Sequence, residues 1–307
     1  MLRLYTHSAC LQHDPGPGHA ERPARLRAVL QALDHDRHAA LDRVEAPRAT
    51  REQLLRVHSN AHVEHILASA PPEDGTYRLD EDTVMSPGSV EAALRAAGAT
   101  VAAVDAVLSG AVRRAFCAVR PPGHHATRDQ AMGFCLFNNI AVAAAHALAA
   151  HGLKRIAIAD FDVHHGNGTQ AIFEREPRVL FVSSHESPLY PGSGHEDERG
   201  VGNIVNGPLS PGAGSQEFRE LWDGVLLPRM HAFKPQLVLV SAGFDAHRND
   251  PLANIRLVQE DYAWITERLA ALADTHAEGR LVSTLEGGYD LAALAASAAA
   301  HVNALMV

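Results

Sequence analysis

Four apolar runs in this 307-residue chain end in histidines, carboxylates or a tyrosine. Residues 115–119 lead into Arg120-Pro121-Pro122-Gly123-His124-His125, and residues 156–159 into Asp160-Phe161-Asp162-Val163-His164-His165-Gly166-Asn167-Gly168. Residues 237–240 run into Ser241-Ala242-Gly243-Phe244-Asp245, and residues 281–284 into Leu285-Glu286-Gly287-Gly288-Tyr289-Asp290. In an extended segment, residues two apart point the same way, so Asp162 and His164 can reach one ion. Asp245, from a neighbouring strand end, supplies a third ligand. Three N/O ligands with a fourth position open suit a catalytic metal, not a structural one.

His124 and His125 follow a rigid Pro-Pro-Gly turn. One could take a proton from a water polarised by the ion, while the other tunes charge or donates to a leaving amine. Asp160 and Asn167 are the candidate orienting partners. A carboxylate on one ring and an amide on the other would push the two pKa values apart, as acid/base division requires. The Tyr289 phenol, after two glycines, can hydrogen-bond the oxygen that turns negative when water adds to an amide carbonyl.

The elements that must position these groups read as α/β. Five short apolar runs, 115–119, 156–160, 179–183, 237–241 and 281–285, are nearly continuous, as in strands covered on both faces. They alternate with helical patterns at 89–108, 138–150, 216–233, 259–273 and 291–305. That alternation predicts an open parallel sheet with helices on both faces, as one domain over residues 1–307. Ligand sites in such sheets form past the carboxyl ends of strands, where these clusters stand. The Pro/Gly-rich stretches 14–18, 71–75 and 190–214 read as surface loops. Gly166-Asn167-Gly168-Thr169 lacks the lysine of a phosphate loop and reads as a turn into a helix starting near Thr169.

Bulk composition narrows the partners. A balance of 27 basic against 36 acidic side chains argues against nucleic acid or an anionic membrane as a partner. No apolar run is long enough to span a bilayer, and the N-terminus carries no signal-peptide core. Cys10, Cys117 and Cys135 have no CxxC spacing, which fits buried apolar roles in a reduced cytoplasm. With 20 histidines in the chain, a single histidine is weak evidence for a ligand. His58, His62 and His65 share helical spacing but lack a nearby carboxylate, so a packing or solvated role is expected.

Arg-Pro-Pro-Gly-His-His (120–125), Gly133-Phe134-Cys135, Asp-Val-His-His-Gly-Asn-Gly-Thr-Gln (162–170), Ser-Ala-Gly-Phe-Asp-Ala (241–246) and Glu-Gly-Gly-Tyr (286–289) resemble the class II branch of the histone deacetylase superfamily. The likeness runs in order from about Pro17 to Leu305. It implies the arginase/deacetylase fold, a three-layer arrangement of about eight parallel strands. It implies zinc on Asp162, His164 and Asp245, a ligand set that iron(II) also suits. His125 would be the general base, His124 its charged or acid partner, and Tyr289 would polarise the acetyl carbonyl. Phe134, beside Gly133, and Tyr190 match the family's aromatic tunnel walls, and Asp82 its substrate-holding rim residue. A structural potassium ion would sit on Asp160, backbone oxygens of Asp162 and His164, Ser183 and Ser184. A second, outer one would use backbone around Phe173 and Val179. Asp290 stands where many relatives have asparagine, and the chain is short for the family, which implies trimmed rim loops.

The leading expectation is therefore deacetylation of acetyl-lysine in peptides or proteins. The alternative is hydrolysis of small acetylated amines such as acetylpolyamines. Polyamine-specific relatives carry glutamate seven residues beyond the last zinc ligand, where this chain has Leu252. A dimetal ureohydrolase would need a second carboxylate pair, but Gly166 and Ala246-His247 fill the relevant positions. A catalytically dead binding module would have lost a ligand, a histidine or the tyrosine, and none is missing.

Overall fold

The strands follow in order as β1 (Leu2–Thr6), β2 (Asp42–Glu45), β3 (Tyr77–Arg78), β4 (Val84–Met85), β5 (Arg114–Cys117), β6 (Ile156–Asp160), β7 (Val179–Glu186), β8 (Ile204–Leu209), β9 (Leu237–Ala242) and β10 (Leu281–Leu285). This computed structural model describes residues 2–73 and 75–307. Eight strands form one sheet in the order β2-β1-β5-β10-β9-β6-β7-β8, and β3 and β4 make a separate antiparallel ribbon. Every pairing in the large sheet is parallel, so all its carboxyl ends lie along one edge.

The five apolar runs read from the sequence are the five contiguous central strands, β5, β10, β9, β6 and β7. Every residue in them is buried. Flanking helices cover the sheet. The alanine-rich helix Ser89–Leu108 packs on Asn139–Ala150, and Gln259–His276 packs on Leu291–Met306, which also meets Pro23–Ala32.

Local departures from the sequence reading have physical causes. The strand expected at 115–119 ends at Cys117. The stretch 190–214 is not all surface loop, because it contains β8. The helix expected over 216–233 is interrupted by a π-helical turn, Trp222–Leu226, just before Pro228. Proline has no N–H to return to the preceding turn and its ring crowds that turn, so the coil widens. Asp162-Val163-His164 is a bend after β6, not an extended segment, and the next helix begins at Asn167.

A buried ion cluster fastens the N-terminal segment to two of the functional loops. The Arg120 guanidinium pairs with Glu21 and donates to the carbonyls of Cys10 (2.7 Å) and His13 (3.0 Å). Arg25 donates to Glu21 (2.9 Å), to the Gly288 carbonyl (2.6 Å) and to the Glu286 carbonyl (2.5 Å). Burial disfavours the Glu21 carboxylate, but Arg120, His13 and Arg25 outweigh it and hold its pKa well below the usual range. Removing one member of such a buried set strands the others, costing about 3–5 kcal/mol. Glu21→Ala should therefore lose about that much stability in urea unfolding; a loss under about 1 kcal/mol would show that water reaches the two arginines.

Candidate active site

Asp162, His164 and Asp245 converge from the loops after β6 and β9. Each offers a ligand atom, and these atoms lie within 4.8 Å of one another, all on buried residues. His164 Nδ1 is 3.2 Å from both Asp162 Oδ1 and Asp245 Oδ2. Backbone amides hold the carboxylates in place: Gly287 N–H donates to Asp162 (2.8 Å) and Val163 N–H to Asp245 (2.9 Å). Any side chain at Gly243 would collide with the Asp162 carboxylate, and one at Gly287 with that of Asp245. Burial opposes charge on His164, but Asp162 and Asp245 raise its pKa to about 10. Two buried carboxylates and an imidazole, with excess negative charge, form a donor set that fits a divalent cation.

His124 and His125 lie beside this trio, their rings 4.1 Å apart. His124 Nδ1 meets Asp160 Oδ2 at 2.9 Å, and His125 Nδ1 meets Asn167 Oδ1 at 2.7 Å. The partners expected from sequence are thus in place. Asn167 also points its amide nitrogen at Met132 Sδ (3.4 Å), so its oxygen accepts from His125 Nδ1–H and leaves Nε2 with a free lone pair. Burial lowers both pKa values, and the surroundings then separate them. Asp160 and Asp162 bring His124 up to about 10, whereas His124 and His164 press His125 well below its ordinary value.

Above this group lies a cavity of about 250 Å³, lined by Asp82, His125, Gly133, Phe134, His164, Leu189, Tyr190, Leu252 and Tyr289. Every cavity residue expected from sequence is there. Gly133 and Phe134 both have positive φ, at 56° and 69°, and Met132 and Cys135 hydrogen-bond across them as a tight hairpin turn. The left-handed region is costly for a phenylalanine. Thr83 fastens the turn by accepting the Phe134 N–H (3.1 Å), and a side chain at Gly133 would strike the His125 ring. The Phe134 ring meets Tyr289 edge-on at 5.8 Å, and the Tyr190 ring meets His125 at 5.2 Å. Burial raises the Tyr289 pKa well above 10, so the phenol stays protonated.

Several residues important to this geometry were not singled out in the sequence. Glu286 accepts the N–H groups of Gly123 (2.7 Å) and His124 (3.2 Å) and the Ser241 hydroxyl (3.1 Å). Asp250 accepts the Tyr289 N–H (2.7 Å) and the Leu252 N–H (3.1 Å), so one carboxylate sets two cavity walls. Arg25 lies 4.7 Å from the Tyr289 ring centre, against its face. Only the Glu-Gly-Gly-Tyr motif hinted at Glu286; the others pair across long stretches of chain with no local pattern.

The remaining expected residues lie outside the cavity lining. Ser183 is the register partner of Asp160, and its hydroxyl meets His185 Nδ1 (2.9 Å); the Ser184 hydroxyl accepts the Trp222 indole N–H (3.0 Å). The Phe173 and Val179 carbonyls both accept the Asn203 side-chain amide. His58 and His62 are buried packing residues bonded to the Thr127 and Leu136 carbonyls, and burial drives the His58 pKa down to about 3. Among the described residues a second His/Asp trio, Asp105, His146 and His151, lies nearer the surface. There Arg56 donates to His146 Nδ1, so Nε2 carries the hydrogen that Asp105 accepts, and the network is complete without an ion.

Comparison with known proteins agrees with this geometry. Residues 19–305 match the histone deacetylase domain family. The chain is 42% identical over 303 residues to a histone deacetylase-like amidohydrolase of Pseudomonas aeruginosa, covering 91% of this chain and 79% of that one. It is 39% identical over 292 residues to a probable deacetylase of Archaeoglobus fulgidus, covering 93% and 80%. The crystal structure of the HDA15 HD domain superposes with a TM-score of 0.94 at 37% identity, covering 99% of this chain and 88% of that one. The chain belongs to the histone deacetylase family, and is a hydrolase of amides with the arginase/deacetylase fold.

Proposed function

We propose that this protein hydrolyses the acetyl amide of acetyl-lysine in peptides or proteins, as one deacetylase domain with a single divalent cation, zinc or iron(II), on Asp162, His164 and Asp245. The observation that carries this reading is the trio beside a cavity of about 250 Å³, which His164 lines together with Phe134 and Tyr190. Such a shape accepts a flat methylene chain and excludes a bulky head group. When bound, the cation supplies Lewis acidity, polarising the amide carbonyl and the attacking water.

His125, its Nδ1–H committed to Asn167, uses Nε2 to take the proton of that water as the new C–O bond forms. Tyr289 donates to the carbonyl oxygen as it becomes negative. His124, held positive by Asp160 and Asp162, keeps the basicity of His125 low, so the proton can pass to the amine nitrogen as the C–N bond breaks. Asp160, the Asp162 and His164 carbonyls, Ser183 and Ser184 would hold an inner potassium ion beneath the trio. The three cysteines are free and buried, which fits a reducing cytoplasm.

A second reading, hydrolysis of small acetylated polyamines, is favoured by one feature: Asp82 lines the cavity and could read a distant ammonium. Leu252 in the same lining opposes it, because it offers a cation no partner. Measuring kcat/KM on an acetyl-lysine peptide and on acetylputrescine side by side decides between them. A strong peptide preference is expected, and a strong acetylputrescine preference would transfer the function to polyamines. Tyr289→Phe should fold and keep its metal yet lose kcat by about a hundredfold or more. Unchanged turnover would show that another donor meets the oxyanion.

A further inference from the structure

The family resemblance places an outer monovalent cation among backbone oxygens near Phe173 and Val179, and the structure puts a side chain there instead. After the helix Asn167–Phe173 the chain turns tightly: Glu176 N–H donates to the Phe173 carbonyl (2.9 Å) and Val179 N–H to the Glu176 carbonyl (3.0 Å). Those two carbonyls and that of Val179 also converge on a single point. Asn203 Nδ2 occupies it, 2.8 Å from Phe173 O, 3.1 Å from Glu176 O and 2.8 Å from Val179 O.

Asn203 is buried at the entrance to β8. Its Oδ1 accepts the Val201 N–H (3.2 Å), and the opposite flip would aim an oxygen at three other oxygens. The hydrogen-bond network therefore fixes which end of the amide faces the carbonyls. Val201 N–H also donates to the Glu174 carbonyl (2.9 Å), and Phe181 N–H to the Asn203 carbonyl (2.9 Å), so the whole corner closes around this side chain.

An oxygen-only cradle is what a hard cation seeks. A carboxamide –NH2 presents two partly positive hydrogens to the same acceptors, with the third carbonyl sharing one of them. A cation held by these oxygens would have to stand where the nitrogen already is. We infer that the Asn203 amide replaces the outer monovalent cation in this chain, so that this corner is locked by a tethered, neutral donor and holds no ion. The lock does not depend on potassium concentration, because its donor cannot dissociate. The inference rests on the family resemblance for where an ion would sit, and is independent of the inner potassium site and of the substrate.

Crystals grown with thallium(I) in place of potassium test it by anomalous scattering. The wild-type protein should show no thallium among the Phe173, Glu176 and Val179 carbonyls. Asn203→Ala, which vacates the cradle, should bind thallium there, and its Tm should rise in potassium chloride but not in choline chloride. Thallium in the wild-type cradle, with Asn203 swung away, would overturn the inference. A folded Asn203→Ala with an empty cradle would overturn it too, by showing that these carbonyls never form a cation site. Should that variant not fold in either salt, the wild-type map alone decides. Thallium beside Asp160 reports separately on the inner site, so failure of that reading is distinguishable.

Discussion

Asp160, Asp162, Asp245, Asp250 and Glu286 are all buried at or past the ends of β6, β9 and β10, and their mutual repulsion constrains everything around them. A buried carboxylate without a partner costs several kcal/mol. Backbone amides of Gly123, His124, Val163, Gly287 and Tyr289 meet part of that demand. They do not meet all of it: burial still pushes the pKa of Asp160 up to about 6, and of Asp250 and Glu286 up to about 7. A parallel sheet delivers this many acids to one place because all its carboxyl ends share an edge. Asp162 and Asp245 share the His164 ring between them, the place where the proposed cation would sit.

The two histidines acquire opposite characters from the same field. His124 faces Asp160 and Asp162 and is held charged, while His125 faces the neutral Asn167 amide and its charged neighbour and is held neutral. Identical side chains one residue apart thus become a fixed charge and a neutral imidazole. Their placement depends on residues outside the cavity lining. Glu286 holds the backbone of the His124 loop, Asp250 that of Tyr289 and Leu252, and the Glu21–Arg25–Arg120 cluster joins these loops to the N-terminal segment. Arg25 serves both systems, ion-paired to Glu21 and lying against the Tyr289 ring.

The central strands were legible because burial on both faces leaves an unbroken apolar run, as in Leu237-Val238-Leu239-Val240. Edge strand β2 was not, since Asp42-Arg43-Val44-Glu45 carries charges and is only half covered. β8 was hidden in a Pro/Gly-rich stretch, where Gly207 and Pro208 mask the pattern. His124, His125, Asp162, His164, Asp245 and Tyr289 were legible because they follow strands in compact motifs, whereas Asp82, Gly133, Phe134, Tyr190 and Leu252 came only with the family resemblance. Glu21, Arg25, Asp250 and Asn203 were not, because their partners lie far off in sequence or are backbone atoms, which leave no residue-type signature. The Asp162–His164 approach was foreseen by an extended-strand argument, yet the structure achieves it with a bend.

Asp162, His164 and Asp245 are proposed to make one divalent-cation site. The most direct measurement strips the protein with a chelator, restores zinc, and counts tightly bound ions per chain in the wild type and in Asp245→Ala. One ion in the wild type and none in a variant with an unchanged circular dichroism spectrum is the predicted result. Two ions in the wild type, or a full complement retained by Asp245→Ala, would contradict the account.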